Sequence, residues 1–159
     1  MPKILAVPHF RQETKTGCLP ACIQMILAYL GISRSQAELA RLMGTHPQAG
    51  TPYPRITRLR SDQISVDYAK ARGLDELIGW LNRDQPVIAF VQMSELPHWR
   101  DHWSQHAIVA VGSDQEAVHV LDPAASSQVI AVPHADFVLA WEEMALAYAV
   151  IAKRAPSVH

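Results

Sequence analysis

Helical periodicity comes first along this chain and strand periodicity second. That order excludes the repeating alternation of a parallel α/β sheet and points to an α+β domain. Over 18–30, CLPACIQMILAYL, residues Cys22, Met25, Ile26, Tyr29 and Leu30 fall on one helical face. Pro20 is tolerated only in a first turn, which starts this helix at Gly17 or Cys18, and Gly31 stops it. A second helix is capped by Ser33 or Ser35, packs Ala37, Leu39, Ala40 and Leu42 inward, and stops at Gly44. Residues 45–62, with Pro47, Gly50, Pro52 and Pro54, read as loop with a short helix over 54–59. A third helix over 73–82 turns Leu74, Leu77, Ile78 and Leu81 inward.

Strands dominate from there on. Pro86 opens the strand VIAFV, and a polar, aromatic connection runs over 94–105. Two strands, 106–112 and 116–122, are joined by Ser113-Asp114-Gln115. A strand over 128–132, a short helix over 134–142 and a last strand over 146–152 complete the order. Residues 1–12 read as extended, with Ile4, Leu5 and Val7 apolar. At 159 residues the chain makes one domain, with a helical half over about 1–84 and a sheet half over about 85–154. A net charge of -1, with 18% charged residues, offers no field for nucleic-acid phosphates or anionic lipid. The longest apolar run, 144–152, is far short of the roughly 20 residues a membrane helix needs. The N-terminus lacks a secretory apolar core and a small-residue cleavage site, so a cytoplasmic protein is expected.

The chemistry-bearing residues are sparse enough to enumerate. The two cysteines, Cys18 and Cys22, are four apart on a helix, so their side chains run parallel and make poor bridge partners. Cys18 stands at the helix start, where free backbone N–H groups and the helix dipole stabilise a thiolate. Cys22 lies one turn deeper on the apolar face and reads as core. Cys18 is therefore the expected nucleophile, and it needs a base.

The chain has eight histidines: His9, His46, His98, His102, His106, His119, His134 and His159. His106 and Asp122 lie equally far from Asp114, the centre of the hairpin turn. Residues equidistant from a regular turn face each other, with Cβ atoms about 4.5–5.5 Å apart. His106 and Asp122 are thus expected cross-strand neighbours, a base with a carboxylate to orient it. The plainer alternative is a structural pair at a strand end. In the same register His119 faces Val109 and reads as a surface or satisfied histidine. Gln12, six residues before Cys18, can join the Cys18 N–H in binding an oxyanion, although a lone glutamine is usually a solvated surface residue.

The spacing of His98, His102 and His106 also suggests a metal site. Pro97 and the tryptophans favour a loop there, and no His-Glu-x-x-His pattern is present, so neither metal nor cofactor is expected. Trp99 and Trp103 read as packing aromatics that wall off His106 from water.

The segment QETKTGC followed by PACIQMILAYLG resembles the start of the bacteriocin-processing peptidases, members of the papain-like cysteine peptidases. The stretch HAIVAVGSDQEAVHVLDP is similar to that family's His-strand-turn-strand-Asp-Pro block, and the loop Gly50-Thr51-Pro52 and the stretch 77–91 also look alike. The resemblance implies a papain-like fold, with N-terminal helices packed on a C-terminal antiparallel sheet. It implies a cysteine peptidase in which Cys18 attacks a peptide carbonyl and His106 is general base, then acid. Asp122 would orient His106, and Gln12 would support the oxyanion. The substrate is then a peptide or protein.

Well-known members cut leaders after a double glycine as domains fused to transporters. This chain has no membrane span and no phosphate-binding Gly-x-x-x-x-Gly-Lys-Ser/Thr loop, so a standalone form with no fused transporter is expected. Leu19 stands where many members have glycine, and its side chain is expected to narrow the cleft. Two alternatives share the evidence: an acyltransferase or transglutaminase-like enzyme with the same residues, and a non-catalytic peptide-binding module.

Overall fold

The computed structural model describes residues 3–126 and 128–155; of the histidines named above, His159 lies outside them. Four helices and six strands form in the order α1 (Cys18–Tyr29), α2 (Gln36–Met43), β1 (Ile64–Lys70), α3 (Leu74–Asn82), β2 (Val87–Gln92), β3 (Gln105–Ser113), β4 (Ala117–Leu121), β5 (Ile130–Pro133), α4 (His134–Glu142) and β6 (Ala147–Lys153). Single 3-10 segments occupy Tyr53–Leu59, Met93–Glu95 and Pro97–Trp99. The strands make one antiparallel sheet ordered β1-β6-β2-β3-β4-β5. β2 is buried along its whole length and β3 along most of it, so both faces of the sheet's centre are covered. α1 is buried over most of its length and packs on β3 and α2, and α4 packs on β2. Among the described residues, no helix is long and apolar enough to cross a membrane.

Local chemistry explains the helix limits. Pro20 falls in the first turn of α1, where no N–H is needed. Gly31, at φ 81°, closes α1, with Ile32 N–H donating to Leu27 O at 2.8 Å. Ser35 caps α2, its hydroxyl accepting from Glu38 N–H at 3.0 Å. The inward face of α2 differs from the expected one. Gln36, Leu39 and Met43 are buried, whereas Ala37 and Leu42 are exposed. The helix is rotated because a polar residue, Gln36, is the one drawn inside.

The division into a helical and a sheet half is corrected by β1, which lies in the first half yet joins the sheet. It alternates, with Ile64 and Val66 buried and Asp67 exposed, and it pairs only with β6. The N-terminal segment also reaches the sheet: Leu5 N–H donates to Val111 O at 2.8 Å, and Ile4 bridges Gly112. A Cβ at Gly112 would stand 2.5 Å from the Lys3 carbonyl oxygen, so this crossing needs glycine.

The β3–β4 hairpin departs from the regular register. Ser113 pairs with Val118 and Gly112 with His119, then a bulge intervenes, and Ala110 pairs with Val120 and Val109 with Leu121. His119 therefore faces Gly112, not Val109. Continued from the tip without the bulge, the ladder would set Asp122 against Val109, whose side chain points away from the face of His106. With the bulge, Asp122 falls opposite Ile108, two residues from the expected partner and on the expected face. The register is corrected by two residues, and a shift of two keeps the side.

Candidate active site

Cys18 is the first residue of α1, after the N-cap Gly17. A Cβ at Gly17 would come 2.7 Å from Thr14 Oγ1, so a larger residue there would require that hydroxyl to turn away. This loop is tied on three sides. Gln12 N–H donates to Pro123 O at 2.8 Å, just past Asp122. The buried Gln36 amide donates to Arg11 O at 2.8 Å and accepts from Glu13 N–H at 3.0 Å, bracketing Gln12. Thr16 Oγ1 donates to His46 O at 3.0 Å.

Cys18, His106 and Gln12 line one cleft of about 330 Å³, with Gly50, Tyr53 and Met93 among its other walls. His106 enters it from β3. Its Nε2 lies 2.7 Å from Asp122 Oδ1. Asp122 is fully buried and takes four donors: His106 Nε2–H and Ala124 N–H (2.9 Å) on Oδ1, His98 Nε2–H (2.9 Å) and Trp99 Nε1–H (2.8 Å) on Oδ2. Burial alone would push this carboxyl up. The hydrogen bonds from His106 and His98, the His106 charge and the Ala124 N–H hold it well below the usual carboxylate range. An ionised carboxylate only accepts, so both imidazoles donate to it through Nε2. His9 adds a bond from its Nε2–H to the Asp122 carbonyl at 2.8 Å.

That tautomer leaves His106 Nδ1 for the sulfur. Burial acts to lower the His106 pKa, but hydrogen bonds to Asp122 and Cys18, with the negative charge of both, raise it to about 9. The arrangement can hold a positive imidazolium, itself buried, between a carboxylate and the cleft that Cys18 lines.

Cys22 is fully buried with its Sγ 3.3 Å from the Ala107 carbonyl, and burial pushes its thiol well up. It is a core residue, as expected. Gln12 lies in the cleft, but its Nε2–H groups donate to Thr14 O (2.9 Å) and Lys15 O (3.1 Å), and its Oε1 is buried without a partner among the described residues. Leu19 is 1% exposed and packs into the core while also lining the cleft. Trp103 is 78% exposed and shields nothing, whereas Trp99 is spent on Asp122. The spacing of the three histidines has a different use from metal binding. His98 and His106 share one carboxylate, from a 3-10 turn and a strand, and His102 lies edge-on to Trp99. Among the described residues no group of three or more His, Cys, Asp or Glu is placed to hold a metal ion.

Two contributors escaped the sequence analysis. His98 holds the far oxygen of Asp122 from 24 residues away, whereas its spacing to His102 and His106 had suggested a metal site. Tyr53 stacks on Phe90 at 4.1 Å between ring centroids and lines the cleft with Cys18. Burial first, then the charge of Cys18, raises its phenol far above the ordinary range, so it keeps its proton.

With this geometry in view, comparison with known proteins is informative. The Peptidase_C39 like family matches residues 4–148. An uncharacterised protein of Methanothermobacter marburgensis is 32% identical over 114 residues, covering 72% of this chain and 70% of that protein. Among solved structures, a protein from Bacillus anthracis described as a C39-like peptidase has a TM-score of 0.77 at 20% identity, over 98% of this chain and 100% of that one. The peptidase domain of Streptococcus ComA, a bifunctional ABC transporter involved in quorum sensing, has a TM-score of 0.74 at 20% identity, over 93% and 99%. A double-glycine-motif protease from an AMS/PCAT transporter, solved with its leader peptide, has a TM-score of 0.69 at 14% identity, over 97% and 98%. These structural likenesses establish the papain-like fold. The family match covers nearly all of the helices, the sheet and the cleft, and the chain belongs to the Peptidase_C39 like family of cysteine peptidases.

Proposed function

We propose that this peptidase works through Cys18, His106, Asp122 and Gln12. The observation that carries the reading is a single cleft lined by both Cys18 and His106, with His106 Nε2–H on a buried, ionised Asp122 at 2.7 Å behind it. The Cys18 thiolate attacks the carbonyl carbon of a peptide bond, and the carbonyl electron pair moves onto oxygen. The resulting oxyanion meets the free N–H groups at the start of α1. Gln12 supports it by exchanging its longer bond, to Lys15 O, for one to the oxyanion. His106 gives its Nδ1 proton to the leaving amine as the C–N bond breaks, leaving a thioester on Cys18. Water then attacks the thioester. His106 takes a proton from that water, the carboxylic product leaves, and the thiolate–imidazolium pair is restored. Asp122 keeps its proton-free form throughout and fixes the imidazole orientation.

The substrate is a peptide segment lying across the cleft. The leader-bound structure of the transporter protease supports a peptide as occupant. We place the reaction in the cytoplasm, a reading that the two unbridged cysteines support. A peptide-library cleavage profile, with Cys18→Ala as the blank, tests the proposal. Cleavage by the native chain that vanishes in the variant is expected; equal cleavage by both would contradict it. Product carrying an added amine donor in place of a free carboxylate would shift the reading to acyl transfer.

A further inference from the structure

Asp122 carries more than the proposed chemistry requires. His106 and the Ala124 N–H account for Oδ1, yet Oδ2 is separately held by His98 at 2.9 Å and Trp99 at 2.8 Å. Both residues belong to the 3-10 segment Pro97–Trp99, anchored by the fully buried Leu96, whose carbonyl accepts from Trp99 N–H at 2.9 Å. A carboxylate held through one oxygen can still swing about its terminal torsion, which is broad and soft. Donors on the second oxygen fix its plane, and with it the direction of the His106 ring.

We infer that His98 is a positioning residue: by holding Oδ2 it locks the Asp122 carboxylate and so aims His106 Nδ1 at Cys18. The inference rests on the proposed function, since it concerns the same nucleophile. The titratable groups facing Asp122 are His106 from β3 and His98 from the 3-10 segment, with Cys18 on the far side of His106. Trp99 adds a neutral donor, and His9 touches only the backbone carbonyl. The His98 side chain is 21% exposed, so water can replace it in part. Its loss should therefore weaken the site without destroying it.

Iodoacetamide alkylation of Cys18, located by peptide mass mapping across pH, reads the pair without any substrate. In the native chain Cys18 should be alkylated well into the acid range, the reactivity expected of a nucleophile that shares its cleft with the His106 imidazolium. His98→Ala should slow alkylation about tenfold near pH 5.5, the equivalent of one unit in the ionisation of the pair, and change it little near pH 9.5. His98→Gln retains an N–H donor and should recover most of the rate. Slowing at both pH values, or His98→Gln as slow as His98→Ala, would overturn the positioning role. Native-like rates in His98→Ala would overturn it while leaving the proposed function intact, whereas absence of acid-range alkylation in the native chain would overturn the function itself. Should His98→Ala fail to fold, Trp99→Phe, which removes the other donor from the same oxygen, decides by the same acid-side loss or its absence.

Discussion

One hairpin carries a histidine–aspartate pair at each end, and the two pairs are nearly identical in contact distance. At the base, His106 Nε2 is 2.7 Å from Asp122; at the tip, His119 Nε2 is 2.9 Å from Asp114. Their surroundings differ. The base pair has side chains 5% and 0% exposed, the tip pair 12% and 35%. Asp114 accepts from the N–H groups of Glu116 and Ala117, both at 2.8 Å, which with His119 hold its carboxyl at about 2. It is a turn residue that has also recruited a histidine. Asp122 instead gathers side chains from β3 and from the 3-10 segment Pro97–Trp99, and its imidazole partner lines the cleft with Cys18. Contact distance does not distinguish the proposed triad from a turn; burial and the cleft beside the pair do.

Substitutions at the two ends sharpen the contrast. His106→Ala should lower peptide cleavage by about 10³-fold or more, the order seen for members of such triads, while His119→Ala should leave it within about twofold. Steady-state kinetics on a substrate from the library screen makes this comparison. Asp122→Asn should cost about 10²-fold or more in turnover. It should also destabilise the fold by about 3 kcal/mol, since it removes the buried charge and turns one of the two acceptor oxygens into an N–H donor facing other donors. Asp114→Asn should leave turnover unchanged. Denaturant melts beside the kinetics separate the two losses, and equal effects at both ends would break the comparison.

Stability against pH should carry the same asymmetry. The folded pKa of His106 is raised to about 9 from an ordinary value near 6.5. Its contribution to stability is therefore complete below about pH 6.5 and disappears as pH rises through about 9, a fall on the order of 2–3 kcal/mol. Asp122 is depressed, so its contribution is present above the ordinary carboxylate range and lost only in strong acid. Urea denaturation between pH 6 and 10 should show the alkaline decline in the native chain and lose it in His106→Gln. Gln12→Ala should lower kcat about tenfold while acid-range alkylation of Cys18 persists, because the oxyanion forms only after attack. The smallest effect is expected at Cys22→Ala, which should keep Cys18 alkylation and lose about 1 kcal/mol of stability.

Local rules carried much of this fold. Pro20 and Gly31 bound the first helix, Ser35 and Gly44 the second, and all four act within one turn of where they stand. The face shared by His106 and Asp122 was legible for the same reason, because strand alternation is local. The register was not. Its bulge lies beside Gly112, where the N-terminal segment crosses, and only a contact from more than a hundred residues away shows why. β1 was missed because its partner, β6, is at the other end of the chain, and the rotation of α2 because Gln36 turns in to reach Arg11, Glu13 and Gln24. His98 and Tyr53 reach the site only through the tertiary fold; no spacing in the sequence marks Tyr53, and the spacing that marked His98 pointed to a metal site, not to Asp122.

Nitrogen chemical shifts of the His106 ring, followed by NMR across pH, probe the site with no substrate and no label on the sulfur. The account predicts an imidazolium at neutral pH that loses its proton near pH 9, with the midpoint falling when Cys18 is replaced by alanine. A ring already neutral at pH 7, or a midpoint indifferent to Cys18, would contradict it.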